Sequence, residues 1–339
     1  MTKTLINYAA ISVVGSVFSA CNFNTSVLSA DVKTNPAISE TVPEKPGLKY
    51  FGYYHVEGFP FGSPDYIEAI GALSNSNVTI ISPWHEKKAM HRLLNRCRKY
   101  GIKVFVSAFS VFFVWNPDGG QPVSMTENWE GKWQELCQKL RGYENDVIGF
   151  YFDEPFWNRV KEADFRFVTK KIREQFPEKR VLAVAAFTAL NPSSKFNTRG
   201  IPEISETYFD FVTDCGFDIY DTWDKADYPG LLKKLKSKLN KNQNVWLVPW
   251  AFTCKNRGGS TKILVGNLKK MHEMALNEPR CLGLLCFSFA SGTEGGDWGN
   301  GCHNLFNPKH QLFAPQLKKA HIQIGRSIVN SENTCKPQK

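Results

Sequence analysis

The sequence predicts an α/β fold, a single (β/α)₈ TIM barrel that spans residues 47–330. Eight short apolar runs, rich in Val, Ile and Phe, are typical of strands buried on both faces. Amphipathic stretches separate these runs, and this many strand-plus-helix units in about 280 residues fits a closed parallel barrel. An open doubly wound sheet would carry a glycine-rich phosphate loop after its first strand, and Gly52-Tyr53-Tyr54-His55 lacks that pattern.

The predicted strands are the apolar runs, and in chain order they cover residues 50–54, 78–82, 103–108, 147–152, 181–187, 216–220, 245–250 and 282–289. Between them, apolar side chains recur with a helical period, which predicts helices over 85–100, 129–143, 160–176, 228–240 and 261–276. Gly101 directly follows the first of these helices, where a left-handed C-terminal cap is expected.

The first twenty residues are predicted to be an export signal. Lys3 gives a positive start, residues 5–18 are mostly apolar, and Ser19-Ala20 is a small-residue cleavage site directly before Cys21. This order resembles the lipobox of bacterial lipoproteins, except that Phe18 stands where Leu is usual. We therefore expect export to the cell envelope and a lipid anchor on Cys21. An ordinary secretory signal, with Cys21 incidental, is the alternative.

The remaining regions are simpler. Residues 21–46 are rich in Asn, Ser, Thr and Pro and are predicted to form a flexible tether, and residues 331–339 a short tail. A hydrophobic content of 42% and a charged content of 22% exclude wholesale disorder. The net charge of +10 is partly carried by runs such as residues 232–239, which indicate either a solvated helix face or attraction to anionic polymers. No nucleic-acid-binding motif is present, so no nucleic acid partner is expected, and the protein is expected to be a monomer.

Nine cysteines in an exported chain allow disulfides, but their spacings match no zinc pattern. Cys254 and Cys302 fall in loops that should lie side by side, so they are the candidates for a bridge. Buried thiols are expected at Cys97, Cys137 and Cys286.

A metal site is weakly supported. His55, Glu57 and His85 could meet at the barrel rim, but the His-x-His pairing that is frequent on the first strand of metal-dependent barrels is missing. We expect neither a metal nor a cofactor.

The active site of a (β/α)₈ barrel lies at the C-terminal ends of its strands, so the residues that follow each predicted strand are the candidates for the site. Six of the nine tryptophans fall at this end, whereas core packing would scatter them. An indole face can stack on a sugar ring, so this bias predicts a sugar-binding cleft. The predicted substrate-binding residues are His55, Trp84, Trp115, Trp157, Trp223, Trp250 and Trp298.

The most specific motif is the end of the fourth strand, where Asp153-Glu154-Pro155 follows an apolar run. Two close carboxylates in a partly dry site push their pKa values apart, so that one stays protonated as a general acid. Pro155 lacks a backbone donor and ends the strand, which fixes the pair at the rim. A helix N-cap or a salt bridge to Arg159 is the structural alternative.

On these residues the chain resembles the (β/α)₈ glycoside hydrolases, which commonly place the acid/base glutamate at the end of the fourth strand. The resemblance implies that Glu154 is the proton donor. Two features depart from the common retaining pattern: Asp153 precedes the acid where Asn is usual, and the seventh strand ends at residues 248–253 without a carboxylate.

The second catalytic group is therefore left open. The Asp153-Glu154 pair is similar to that of hexosaminidases, and Tyr220-Asp221 to a pair in chitinase-type barrels, which implies that Asp153 and Tyr220 orient a reacting acetamido group of the substrate. The conventional alternative pairs Glu154 with a nucleophile or base among Asp218, Asp221 and Glu294.

Two functions follow. The first is a glycosidase that cleaves a polysaccharide or glycan, with Glu154 as general acid/base. The second is a catalytically silent barrel that binds glycans or assists envelope assembly, because a fold does not fix a function. Two carboxyls about 5–9 Å apart across an open cleft would favour the enzyme.

Overall fold

The computed structural model describes residues 47–57, 65–114, 122–195, 197–220, 226–253, 260–291 and 299–334. Its strands are β1 (Tyr50–Tyr53), β2 (Val78–Ile81), β3 (Lys103–Ser107), β4 (Val147–Asp153), β5 (Arg180–Ala186), β6 (Asp214–Asp218), β7 (Asn244–Val248) and β8 (Cys281–Cys286). Each strand pairs in parallel with the next, and β8 pairs with β1, which closes the sheet. The fold is a single (β/α)₈ barrel, as the sequence predicts.

The helices lie between successive strands and after the last. They are α1 (Ile67–Leu73), α2 (Lys87–Lys99), α3 (Phe109–Phe112), α4 (Trp129–Leu140), α5 (Glu162–Gln175), α6 (Phe187–Leu190), α7 (Tyr228–Ser237), α8 (Thr261–Leu276), α9 (Cys302–Phe306) and α10 (Pro315–Thr334). All five predicted helices are present, and the other five are additional. Within the described ranges, none of the helices combines the length and apolar character that crossing a membrane requires.

All eight predicted strands are confirmed. β8 ends at Cys286, three residues before the predicted end, and β6 begins at Asp214 rather than at residue 216. Asp214 is fully buried, and its Oδ1 accepts hydrogen bonds from Arg180 at 2.8 Å and from Trp246 at 3.2 Å. A charged residue with such partners can lie inside a strand, although its type argues against a strand in the sequence. The shift makes Asp218 the last residue of β6.

Trp246 fills the lower part of the barrel. Its ring stacks on Tyr50 at 5.3 Å between centroids and meets Phe105 edge-on at 5.4 Å. Gly283 makes room for it, since a Cβ at that position would lie 2.3 Å from the Trp246 ring. Side chains alternate along a strand, so Val248, the last residue of β7, also faces the barrel interior. The interior is packed below the end that carries the candidate site.

The predicted disulfide between Cys254 and Cys302 is wrong, because Cys302 is a free thiol. Cys302 is a buried free thiol whose Sγ donates to the Ala251 carbonyl oxygen at 3.3 Å. Cys254 lies outside the described residues. The expected buried thiols are confirmed at Cys97 and Cys286, whereas Cys137 is a free thiol that is only half-buried.

Candidate active site

The candidate site lies at the mouth of the barrel, the end where the strands finish. Asp153 is the last residue of β4, and Glu154 follows it with a positive φ of 42°. A left-handed conformation is costly for a residue with a side chain, and such strain persists where the surroundings impose it. Asn158 supplies that support, since its Nδ2 donates to the carbonyl oxygens of Asp153 at 3.3 Å and Glu154 at 3.0 Å.

Glu154 and Asp218 form a hydrogen-bonded carboxyl pair. Asp218 ends β6, two strands from β4 around the barrel, and it is 6% exposed. The hydrogen bond raises the pKa of Glu154 and lowers that of Asp218, so the Glu154 carboxyl donates and the Asp218 carboxylate accepts. The Tyr220 hydroxyl donates a second hydrogen bond to Asp218. The pair therefore holds one proton on Glu154.

Burial raises the pKa of all three carboxyls at the mouth, and repulsion between carboxylates adds to this rise at Glu154 and Asp218. Burial, and then the charges of Asp218 and Asp153, raise the pKa of Glu154 well above its usual range. Burial raises the pKa of Asp218 to about 6, although hydrogen bonds from Tyr220 and Glu154 oppose this rise. Burial also raises the pKa of Asp153, which the hydrogen bond from Tyr151 partly offsets. Of the three carboxyls, Glu154 has the pKa that is raised furthest, so it keeps its proton to the highest pH.

Tyr151 and Tyr54 are site residues that the sequence analysis does not identify. Tyr151 lies two positions before Asp153 on the same face of β4, and its hydroxyl donates to Asp153 Oδ1. Tyr54 follows β1, and its ring meets Tyr151 edge-on at 5.4 Å. Burial raises the pKa of both phenols far above neutrality, so both remain donors. The period of two in β4 was the available signal for Tyr151.

Among the described residues, two buried polar atoms at the mouth have no hydrogen-bond partner: Asp218 Oδ1 and the Trp250 indole nitrogen. Leaving such atoms unpaired costs about 1–3 kcal/mol each. A bound hydroxylated molecule can offer both donors and acceptors to such a set. These atoms mark the mouth as a place for a polar ligand.

A cation lies beside the acid. Arg199 lowers the pKa of Glu154 slightly, against the larger effects of burial and neighbouring carboxylates. Its guanidinium stacks over the Trp157 ring at 4.8 Å and donates to the Trp157 carbonyl oxygen at 3.2 Å. Trp157 is half-buried, so one ring face is covered by Arg199. Arg199 lies in the segment that follows α6, so nothing near the strand-4 motif in the sequence indicates it.

The remaining predicted substrate-binding residues differ in position. His55 borders the mouth, where its ring meets Phe287 at 5.4 Å and burial lowers its pKa to about 4, so it is neutral. Trp250 is 1% exposed and packs on Phe252 at 5.8 Å, which fits core packing better than the predicted stacking on a sugar. Trp84 is 53% exposed and lines a groove beside α4, on the outer face of the barrel.

Five predicted site residues lie outside the described residues: Trp115, Asp221, Trp223, Glu294 and Trp298. The structure therefore brings together Asp153, Glu154, Asp218 and Tyr220 from the predicted set. No group of His, Cys, Asp or Glu with the arrangement of a metal site occurs among the residues that the structure describes.

The chain resembles known proteins in structure. No protein-family model matches it, and no curated protein matches its sequence. A candidate α-L-fucosidase of Bacteroides thetaiotaomicron superposes with a TM-score of 0.52 at 14% identity, over 89% of this chain and 99% of the other. A xylanase of Thermotoga maritima gives 0.53 at 13%, over 85% and 97%.

A third similar structure is a β-glucuronidase of Bacteroides uniformis, with a TM-score of 0.51 at 13% identity. It covers 83% of this chain and 35% of the glucuronidase, so the likeness concerns the barrel alone. The structures that resemble this chain are (β/α)₈ glycoside hydrolases, as the strand-4 motif implies. Identities this low establish a shared fold, and residue roles must be argued from the site.

Proposed function

We propose that this protein is a glycosidase in which Glu154 is the general acid. The observation that carries the proposal is the Glu154–Asp218 hydrogen bond, which keeps a proton on a carboxyl at the barrel mouth near neutral pH. A glycosidic oxygen leaves readily only when it is protonated, so a glycosidase needs such a neutral acid. The fold shared with glycoside hydrolases supports the same chemistry.

The pair is closer than the two carboxyls of either standard mechanism. Hydrogen-bonded carboxyls lie nearer than the about 5–5.5 Å of retaining enzymes or the about 6.5–9.5 Å of inverting enzymes. We therefore propose that Asp218 keeps the proton on Glu154, because the negative charge of one carboxylate raises the pKa of a neighbouring carboxyl. Asp153, oriented by Tyr151, is the described carboxylate that remains to stabilise positive charge on the sugar ring or to orient an acetamido group.

A test of this function is a screen of aryl glycosides and insoluble polysaccharides with the wild-type protein, followed by the Glu154→Gln variant. Release of product by the wild type and not by the variant supports the proposal. The short spacing of the pair favours the second candidate, a barrel that binds glycans without cleaving them. Retention of a glycan by both proteins, with product from neither, would establish that candidate.

Activity is expected to follow a bell-shaped pH profile. Catalysis requires ionised Asp218 and protonated Glu154, so the rate should fall as the pH drops below about 6, where Asp218 takes up a proton. It should fall again at high pH, where Glu154 loses its proton, because the raised pKa of Glu154 sets that limb. The measurement is kcat/KM between pH 4 and 10, and its two apparent pKa values belong to the pair. A rate that rises steadily toward acid pH would contradict this assignment.

We also propose that the protein is exported and anchored to a membrane through lipidated Cys21, followed by the tether of residues 21–46. Small residues precede the cysteine and a polar stretch follows it. Cys21→Ser is expected to move the protein from the membrane fraction to the soluble fraction of the envelope, as measured by fractionation and immunoblotting. A variant that stays as firmly membrane-associated as the wild type would exclude the anchor.

A further inference from the structure

Two surface grooves flank α4 on the outer face of the barrel. The first lies between the start of α2 and α4, has a volume of about 360 Å³ and contains Trp84. The second lies between α4 and α5, has a volume of about 720 Å³ and contains Trp129 and Phe167. Together we call them the α4 surface. It is separate from the mouth, because none of its lining residues belongs to the carboxyl cluster.

The first groove combines an aromatic platform with paired charges. Trp84 is 53% exposed, although a large aromatic side chain gains free energy when it is buried. Around it lie Glu135, Gln138 and Lys139, and the Lys139 ammonium contacts the Glu135 carboxylate at 2.8 Å. The groove therefore offers a ring face and hydrogen-bonding groups with little net charge.

The second groove repeats this combination. Phe167 is 42% exposed, and its ring meets the half-buried Trp129 edge-on at 5.7 Å. Gln134 and Glu174 line the same groove, and the Lys171 ammonium lies 3.8 Å from the Glu174 carboxylate. Glu130 also lines this groove, so aromatic and polar groups lie together here too, with more acidic than basic side chains.

We infer that the α4 surface is a second binding site, which takes a neutral polysaccharide chain across α4. Sugar rings present apolar C–H faces to aromatic rings and hydroxyls to amides and charges, which is the mixture that both grooves display. A protein helix or a lipid surface would instead require a continuous apolar stripe, and Gln134 and Gln138 interrupt it on α4. The lining of neither groove has an excess of basic side chains, which favours a neutral chain over an anionic one.

This inference rests on the proposed function only for the choice of polymer. Its consequence is that the protein holds its substrate at two places, and attachment at the α4 surface raises the local concentration of chain near the mouth. Attachment and cleavage are then separable properties, which depend on different residues.

The test is retention of the full-length protein on insoluble cellulose, chitin, xylan and bacterial sacculi. Trp84→Ala and Phe167→Ala, alone and combined, remove exposed rings and are expected to leave the fold intact. The double variant should lose retention at least ~10-fold, the scale of truncating an aromatic anchor in an interface. Leu276→Ala is the matched control, because Leu276 is 63% exposed on α8, and its retention should equal that of the wild type.

Turnover of a short soluble glycoside separates this surface from the mouth. The double variant should cleave it at the wild-type rate, and Glu154→Gln should keep wild-type retention while losing turnover. Unchanged retention in the double variant, a parallel loss of retention and short-substrate turnover, or a wild type that no polymer retains would each overturn the inference. Where no substrate is cleaved by any protein, the retention results still decide it, so failure of the proposed function is distinguishable.

Discussion

Replacement of Glu154 by Gln is expected to lower the turnover of a glycoside at least ~10²-fold while the substrate still binds. Gln has the size and shape of Glu but no acidic proton, so it cannot protonate the leaving oxygen. The loss should appear in kcat rather than in KM, because a proton donor acts mainly in the transition state. The measurement is steady-state kinetics together with binding of the substrate to the variant by calorimetry.

The thermal stability of this variant is a control. Gln is uncharged like the protonated Glu154 and keeps an N–H donor for the Asp218 carboxylate, so the melting temperature should stay close to that of the wild type. A lower melting temperature with full activity would show that Glu154 is a structural residue. Full activity at any stability would end its assignment as the acid.

Replacement of Asp218 by Asn is expected to have the next largest effect, a rate loss of about 10²- to 10⁴-fold near neutral pH. The Asp218 charge raises the pKa of Glu154 and its carboxylate accepts the Glu154 proton. Without that charge, Glu154 should lose its proton at a lower pH. The alkaline limb of the rate profile should therefore move toward acid, and the acid limb near pH 6 that Asp218 sets should disappear.

Asp210→Asn is the matched control for this substitution. Asp210 is a surface carboxylate that contacts the Arg166 guanidinium at 2.8 Å, remote from the carboxyl pair in the fold. Its variant should keep the wild-type rate and pH profile. An Asp218→Asn profile that kept both limbs at their wild-type positions would refute the proton-holding role of Asp218.

The role of Asp153 depends on the substrate. Paired glycosides with and without a 2-acetamido group report whether that group takes part in the reaction. If Asp153 and Tyr220 orient it, only the acetamido substrate should turn over efficiently. Tyr220 donates to Asp218 in the structure, so this arrangement would require its hydroxyl to exchange partners. Equal turnover of both substrates would eliminate assistance by the substrate.

The barrel was predictable because each strand is a local apolar run, and the rim position of Glu154 follows from the Asp153-Glu154-Pro155 motif. Contacts between side chains on different strands are harder to predict from the sequence. From the sequence, Asp218 is one of several candidate partners of Glu154. Its place at the end of β6 depends on the strand beginning at Asp214, a charged residue that lies in a strand because Arg180 and Trp246 donate hydrogen bonds to it. Local pattern carries no information about such partners.

The tryptophans illustrate a second limit. Their position after strands places Trp84 and Trp250 at one end of the barrel, but the direction of a side chain depends on packing. Trp250 follows β7 and is buried, and Trp84 lies in a groove beside α4. The position of Arg199 could not be predicted for another reason: its hydrogen bond to the Trp157 carbonyl oxygen joins residues that are 42 positions apart in the chain.

The most direct measurement for the central claim is the dependence of the Glu154→Gln defect on the leaving group. Two substrates with the same sugar are compared, one with an alcohol leaving group and one with 2,4-dinitrophenol, which departs without protonation. A general acid is needed only for the first, so the variant should lose at least ~10²-fold on the alcohol glycoside and little on the dinitrophenyl glycoside. Equal losses on both substrates would contradict the assignment of Glu154 as the proton donor.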